Sequence, residues 1–187
     1  MKEVALSTEI NETKKIKDEN YRKIKPEGNI SPNESRDFIK GLFETPKLEK
    51  VYSDYINDLK SRSEYPETIS DSSFKPSDLR KITPEKNAEM REEFAEKKEQ
   101  IKREWEQKNE IKWPTYKHDV YSSNGNCIRK VGWDYDMHHI QPLSLGGKNE
   151  VSNITPIHAN EHYDHCGVHS ADSPYSKMSE MTGGTKE

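Results

Sequence analysis

Histidine supplies the densest chemistry in this chain. Five of its seven histidines, His138, His139, His158, His162 and His165, fall within 28 residues. A neutral imidazole binds zinc, nickel, copper or iron through a ring nitrogen, and with an ordinary pKa of about 6.5 it can also take a proton from water. Neighbouring side chains on a strand point to opposite faces, so His138 and His139 suit two different jobs, one as a ligand and the other facing water or substrate. His162 and His165 lie three apart in Ala159 to Cys166, a segment that reads as a short helix closed by Gly167, and that spacing sets two imidazoles on one face. A strand histidine packed against such a helix converges with them on one cation. If that site keeps an open coordination position, it is catalytic rather than structural. His158, four before His162, ends a strand and reads as a support for the loop or a substrate contact, while His118 reads as a surface or satisfied core residue.

The elements that must position these residues differ between the two halves of the chain. Only two of the nine glycines, Gly28 and Gly41, precede residue 113, and all seven histidines follow it. The first half reads as helices with proline joints. Ser31-Pro32, Thr45-Pro46 and Thr83-Pro84 each look like an N-cap followed by a first helical residue, and Glu34 completes a capping box with Ser31. Thr45-Pro46 should open a second short helix with Leu48, Val51, Tyr52, Tyr55, Ile56 and Leu59 on one face. Residues 61–82, with two prolines and six serines, lack periodicity and read as a linker or extended arm. From Pro84 to about Lys112 the apolar stripe Met90, Phe94, Ile101, Trp105 predicts one long amphipathic helix. Its flanking charges cancel, nine basic against nine acidic over 81–112, as expected of a solvated face. Beyond it, Val120-Tyr121 and Cys127-Ile128 flank an Asn124-Gly125 turn, a second strand runs through Tyr135 to Ile140, a loop holds Pro142 and Gly146-Gly147, and a third strand spans Asn153 to His158. The fold class is α+β, divided as 1–82, 83–112 and 113–187.

Composition limits what such a chain can do. Hydrophobic residues are 29% and charged residues 34%, against about 45–50% apolar (glycine included) and about 25% charged in typical globular domains. Little apolar surface is therefore available to offset the entropy of ordering, which favours a small metal-stapled module joined to a helical arm. No stretch suits a membrane span or a signal peptide, and Cys127 and Cys166 form no CxxC pair, so a soluble chain with reduced thiols is expected. The net charge is −4, and residues 113–187 carry six basic against nine acidic side chains. A broad basic grip on nucleic acid is excluded, and any affinity for it should be modest.

The run from Asp136 to His162, DMHHIQPLSLGGKNEVSNITPIHANEH, resembles the HNH (ββα-metal) endonucleases, including the nuclease colicins and the HNH modules at the C-termini of bacterial polymorphic toxins. The likeness covers roughly residues 115–170. It rests on the His-His pair, the Pro and Gly-Gly loop, an Asn fourteen residues after His139 and a His nine residues after that Asn. The resemblance implies a metal-dependent nuclease module following the helical arm, with His139 as general base, His138 and His162 as metal ligands, and Asn153 bracing the loop that orients the base. It sets Asp136 at the acidic position that some members carry before the pair. The sequence departs from the colicin pattern at the last ligand, where Cys166 occupies the expected place. His165 is taken as that ligand because it stays in the helix, with His169 and then Cys166 as alternatives.

The chemistry that follows is hydrolysis of phosphodiester bonds in DNA, with RNA as an alternative substrate, using one divalent metal ion: zinc, nickel, manganese or magnesium. Arg129, Lys130 and Lys148 are the expected phosphate contacts. The resemblance further implies a bacterial toxin or effector with a cognate immunity protein, acting in the cytoplasm, with secretion or delivery into target bacteria as the route. The competing class is a structural metal module that binds protein or nucleic acid without catalysis. Such sites commonly use paired cysteines, which this chain lacks.

Overall fold

Two proline-led helix starts can be compared directly with the structure, a computed structural model that describes residues 32–70, 74–163 and 166–182. Thr83 accepts from the Lys86 amide through its Oγ1 at 3.2 Å and starts helix α3, Pro84–Asn109, which Glu110 ends in the left-handed conformation (φ 57°). The Thr45-Pro46 joint, in contrast, is no boundary. Pro46 lies inside a continuous helix α1, Pro32–Arg62. A proline forfeits one intrahelical bond and strains the preceding turn, but the stripe that follows is firmly anchored, with Tyr55 and Leu59 fully buried. Ser31 and its capping box lie outside the described residues.

The chain divides into two units, Met1–Phe43 and Glu44–Glu187. Residues 32–43 of helix α1 are the described part of the first, and the site, including Tyr55 from the later turns of α1, lies wholly in the second. Of the stretch read as a linker, residues 61–82, the described residues are packed there. It forms a short helix α2, Pro66–Ser70, and a 3-10 turn, Pro76–Asp78. Ile69 and Phe74 enter one core with Tyr55, Leu59, Ile140, Leu145, Ile157, Val168 and Met178. The amides of Arg80 and Ile82 donate to the carbonyls of Leu145 and Ser144, both at 3.2 Å. Isolated apolar residues each fill one slot of the core, a use of sequence that leaves no periodic signal.

Helix α3 buries Ile101 and Trp105 against Trp113 and Ile154, while its charged face stays in water. The first hairpin pairs β1, Val120–Tyr121, with β2, Cys127–Arg129, around Gly125 at φ 78°. The site-bearing ladder pairs β3, Asp136–His139, antiparallel with β4, Ile154–Ile157, setting His138 opposite Thr155 and His139 opposite Ile154. Helix α4, Ala159–Tyr163, follows β4 directly. Beyond it, Ser173 caps a further helix α5, Pro174–Met181, whose Met178 is fully buried. The resulting class is α+β. No helix among the described residues is long and apolar enough to cross a membrane.

The loop between β3 and β4 is drawn tight around Asn153. Its Oδ1 accepts from the Gln141 amide at 2.7 Å, and its Nδ2 donates to the carbonyls of Gln141 and Lys148 at 3.0 and 2.9 Å. Gly147 sits where a Cβ would stand 1.9 Å from the Gln141 carbonyl oxygen. Gly147→Ala should therefore cost about 1–3 kcal/mol, the range for overpacking, measured by urea unfolding. An unchanged midpoint would show that the loop is loose.

Candidate metal centre

Three imidazoles from three segments converge: His138 from β3, His162 from α4 and His169 from the loop before α5. Their ligand atoms all lie within 4.8 Å of one another, so they could hold a metal ion. His138 Nδ1 is 3.1 Å from His162 Nε2, and His169 Nε2 is 3.1 Å from the same His162 nitrogen. His138 and His162 are buried, and His169 keeps one edge in solvent.

The far side of each buried ring determines which nitrogen holds the proton. Tyr55 donates its hydroxyl to the Ile140 carbonyl at 2.7 Å, so its oxygen, 3.1 Å from His138 Nε2, is left to accept the proton on that nitrogen. Burial raises the Tyr55 pKa well above 10, which keeps the hydroxyl a donor. His162 Nδ1 lies 3.2 Å from an Asp136 carboxylate oxygen and donates to it. Both rings therefore turn lone pairs inward, His138 Nδ1 toward His162 Nε2. Two acceptors at 3.1 Å repel unless a cation lies between them, and three imidazoles with a free direction toward solvent form a donor set suited to zinc or nickel. The outer partners, a tyrosine oxygen and a carboxylate, are of the kind that orient metal-binding imidazoles.

Electrostatics point the same way. Burial pushes His138 well below the ordinary histidine value, and His162, His169 and His139 depress it further. His169 is lowered to about 4, chiefly by burial of its inner edge, with His162 and Arg91 adding to the effect. These rings are neutral near pH 7, as a metal ligand must be. Burial alone would raise Asp136, but hydrogen bonds to His162 and Arg129 outweigh it and leave this carboxyl below its usual range.

His139 leaves β3 on the other side. Its ring packs edge-on against Phe94 of α3, with centroids 4.5 Å apart, and its Nε2 lies 3.0 Å from Asn149 Oδ1. The amide of Asn149 donates to the Met90 carbonyl at 2.8 Å and to Glu93 at 3.0 Å, which identifies Oδ1 as an acceptor. The proton of His139 is thus on Nε2, and the lone pair on Nδ1. Burial lowers His139 to about 4, against the Asn149 bond, which raises it.

The other expected contacts are dispersed. Arg129 commits its guanidinium fork to Asp136 at 2.8 and 2.9 Å, orienting the carboxylate that holds His162. Exposed Lys130 pairs with Asp119 at 2.9 Å, and exposed Lys148 lies 3.5 Å from Glu150. His158 packs against Tyr116 and Tyr135, and His118 is exposed. His165 lies outside the described residues, and Cys166 is exposed. Neither Tyr55 nor Asn149 is marked as a site residue by local sequence pattern. Tyr55 was visible only as one member of a helical stripe, and Asn149 carried no signal beyond its place in the loop.

Over 112 residues the chain is 37% identical to Toxin YxiD of Bacillus subtilis (strain 168), a stretch that covers 59% of this chain and 19% of that protein. The chain thus spans about a fifth of the length of the curated relative it matches. No protein-family model matches the chain, and neither does any solved structure.

The geometry makes two checkable statements. In calorimetric titration with Zn²⁺, His169→Ala should weaken binding by more than the about 10–100-fold typical of losing an outer partner. Unchanged binding in His169→Ala together with a loss in His165→Ala would assign the third position to His165. For the metal-free protein, the unfolded chain takes up protons below about pH 6.5 that His138 and His169 refuse when folded. Stability should therefore be complete above that pH and fall as pH drops toward 4, with Asp136 adding a further loss below. A melting temperature flat from pH 6.5 to 4.5 would contradict this burial.

Proposed function

We propose that this chain is the metal-dependent nuclease portion of a bacterial toxin, hydrolysing phosphodiester bonds of DNA. The observation that carries the reading is the inward-facing set of three histidines beside a fourth imidazole, His139, that does not share their ion. Three ligands leave a coordination position open, which favours catalysis over a closed structural site. The toxin assignment draws on the similarity to Toxin YxiD, and a cognate immunity protein is the partner such a toxin requires.

His138, His162 and His169 would hold the divalent ion. Bound there, it would supply Lewis-acid stabilisation of charge on the phosphoryl oxygens and the leaving oxygen. The remaining work falls to the chain. His139, neutral near pH 7 with its Nε2 proton donated to Asn149, presents Nδ1 as the proton acceptor for the attacking water. Asn149 fixes that tautomer, and Phe94 restricts the ring's rotation. Asn153 holds the carbonyls of Gln141 and Lys148 and so maintains the loop that carries Asn149. Tyr55, Asp136 and Arg129 orient the ligands.

Plasmid cleavage with added Mg²⁺, Mn²⁺, Ni²⁺ or Zn²⁺ tests the reading, with an RNA substrate in parallel. His139→Ala should retain Zn²⁺ binding and lose about 10²–10⁴-fold in cleavage rate, the share of a general base. Equal cleavage by wild type and variant would remove His139 from the role. A metal-loaded wild type that cuts neither DNA nor RNA would remove the enzyme class.

A further inference from the structure

An open groove of about 630 Å³ runs beside the histidine cluster, lined by Phe94 and Lys98 of α3, Arg129, Trp133, Tyr135 and Tyr163 among others. Two of its aromatic rings are exposed although nothing in the fold needs them to be. Trp133 is 56% accessible and Tyr163 60%. The other tryptophans, Trp105 and Trp113, are at 1% and 4%. The backbone of Trp133 is held in place: its amide donates to the Lys130 carbonyl at 3.0 Å, and its own carbonyl accepts from the Tyr116 amide at 2.8 Å. A large indole presented to water from a fixed turn, with a second exposed ring in the same groove, offers preformed flat faces to a ligand.

Tyr163 connects this groove to the metal centre. Its ring lies on His162, with centroids 3.9 Å apart, and runs nearly parallel to His169 at 6.2 Å. The guanidinium of Arg129, fixed on Asp136, lies 6.0 Å from the same ring. The two carboxylates of the groove are neutralised, Asp134 by Lys102 and Asp136 by Arg129. Lys98 has no ion pair among the described residues and adds an uncompensated positive charge. Exposed aromatic faces, a free cation and continuity with the metal ligands together describe a channel for a strand with a phosphate backbone and flat bases.

We infer that this groove binds an unstacked base of the substrate strand, with Trp133 and Tyr163 as stacking surfaces and Lys98 on the backbone, so that the chain favours single-stranded or locally opened DNA over intact duplex. The inference rests on the nuclease reading above and names the form of its substrate. It also accounts for nucleic-acid recognition by an acidic module, because stacking does not depend on net charge.

Binding without metal separates this inference from catalysis. The full chain in EDTA would be titrated with a fluorescein-labelled 12-mer of thymidylate, with the same backbone carrying abasic sites, and with a 12-bp duplex, following anisotropy. Quenching of the exposed Trp133 would be followed with unlabelled strands. The thymidylate strand should bind about tenfold or more tighter than the abasic strand, the scale of one base stacked on an aromatic ring, and tighter than the duplex. Trp133→Ala and Tyr163→Ala should each remove most of that margin, and Trp133→Phe should restore it. Unchanged thermal melting of the variants would confirm intact folding, and the abasic comparison needs no variant. Equal affinity for thymidylate and abasic strands, or full affinity in Trp133→Ala, would overturn the proposal and leave the patch to a protein partner. Plasmid cleavage separately judges whether the chain is a nuclease at all.

Discussion

Two buried nitrogens, His138 Nδ1 and His162 Nε2, face each other at 3.1 Å with their ring protons committed elsewhere. The Tyr55 oxygen accepts the hydrogen bond from one N–H and the Asp136 carboxylate that from the other, and neither outer partner is free to turn away. Tyr55 is tied to the Ile140 carbonyl, and Asp136 is held by both arms of Arg129. The inner lone pairs therefore cannot be relieved by flipping a tautomer, and with His169 these rings could hold a metal ion. Much of the fold can be understood as the support for this constraint. Helix α1 delivers Tyr55, the β3–β4 ladder sets His138 and Asp136, and α4 turns His162 back onto them. The third imidazole, His169, arrives on a loop held against Tyr175 of α5, with ring centroids 4.3 Å apart.

The parts of this arrangement that were legible in the sequence are those written in local pattern. The Thr83 cap, the stripe of α3, the Asn124-Gly125 turn and the strand, loop, strand, helix order all follow from neighbours within a few residues. His138 and His162 could be singled out because their density and spacing are unusual. The remainder was not local. His169 joins the cluster because the chain turns after Gly167, where a Cβ would stand 2.9 Å from the Glu161 carbonyl oxygen, and helix periodicity cannot register such a reversal. Tyr55 reaches His138 across 83 residues of sequence, and Met90 and Glu93 reach Asn149 across 59 and 56. Residues 61–82 looked like a linker because their apolar side chains occur singly, yet Ile69 and Phe74 complete the core around Tyr55.

Charge also reads differently in three dimensions. The formal balance of −4 made nucleic acid look like a poor partner. Around the site, however, the acids are largely occupied: Asp136 by Arg129 and His162, Asp134 by Lys102, and Glu93 by Lys97 and Asn149. Among the described residues, what lines the groove is aromatic surface, paired carboxylates and Lys98, which has no ion pair there. A small module can in this way be acidic overall and still present a path for a polyanion, with local geometry replacing long-range attraction.

The central claim is that His138, His162 and His169 together hold one metal ion. X-ray absorption at the zinc edge of the protein loaded with one equivalent of Zn²⁺ tests it most directly. The account predicts a first shell of nitrogen and oxygen at about 2.0–2.1 Å with imidazole scattering from three rings, falling to two rings in His169→Ala. A sulfur shell at about 2.3 Å, which would bring in Cys166, or an imidazole count unchanged in His169→Ala, would contradict it.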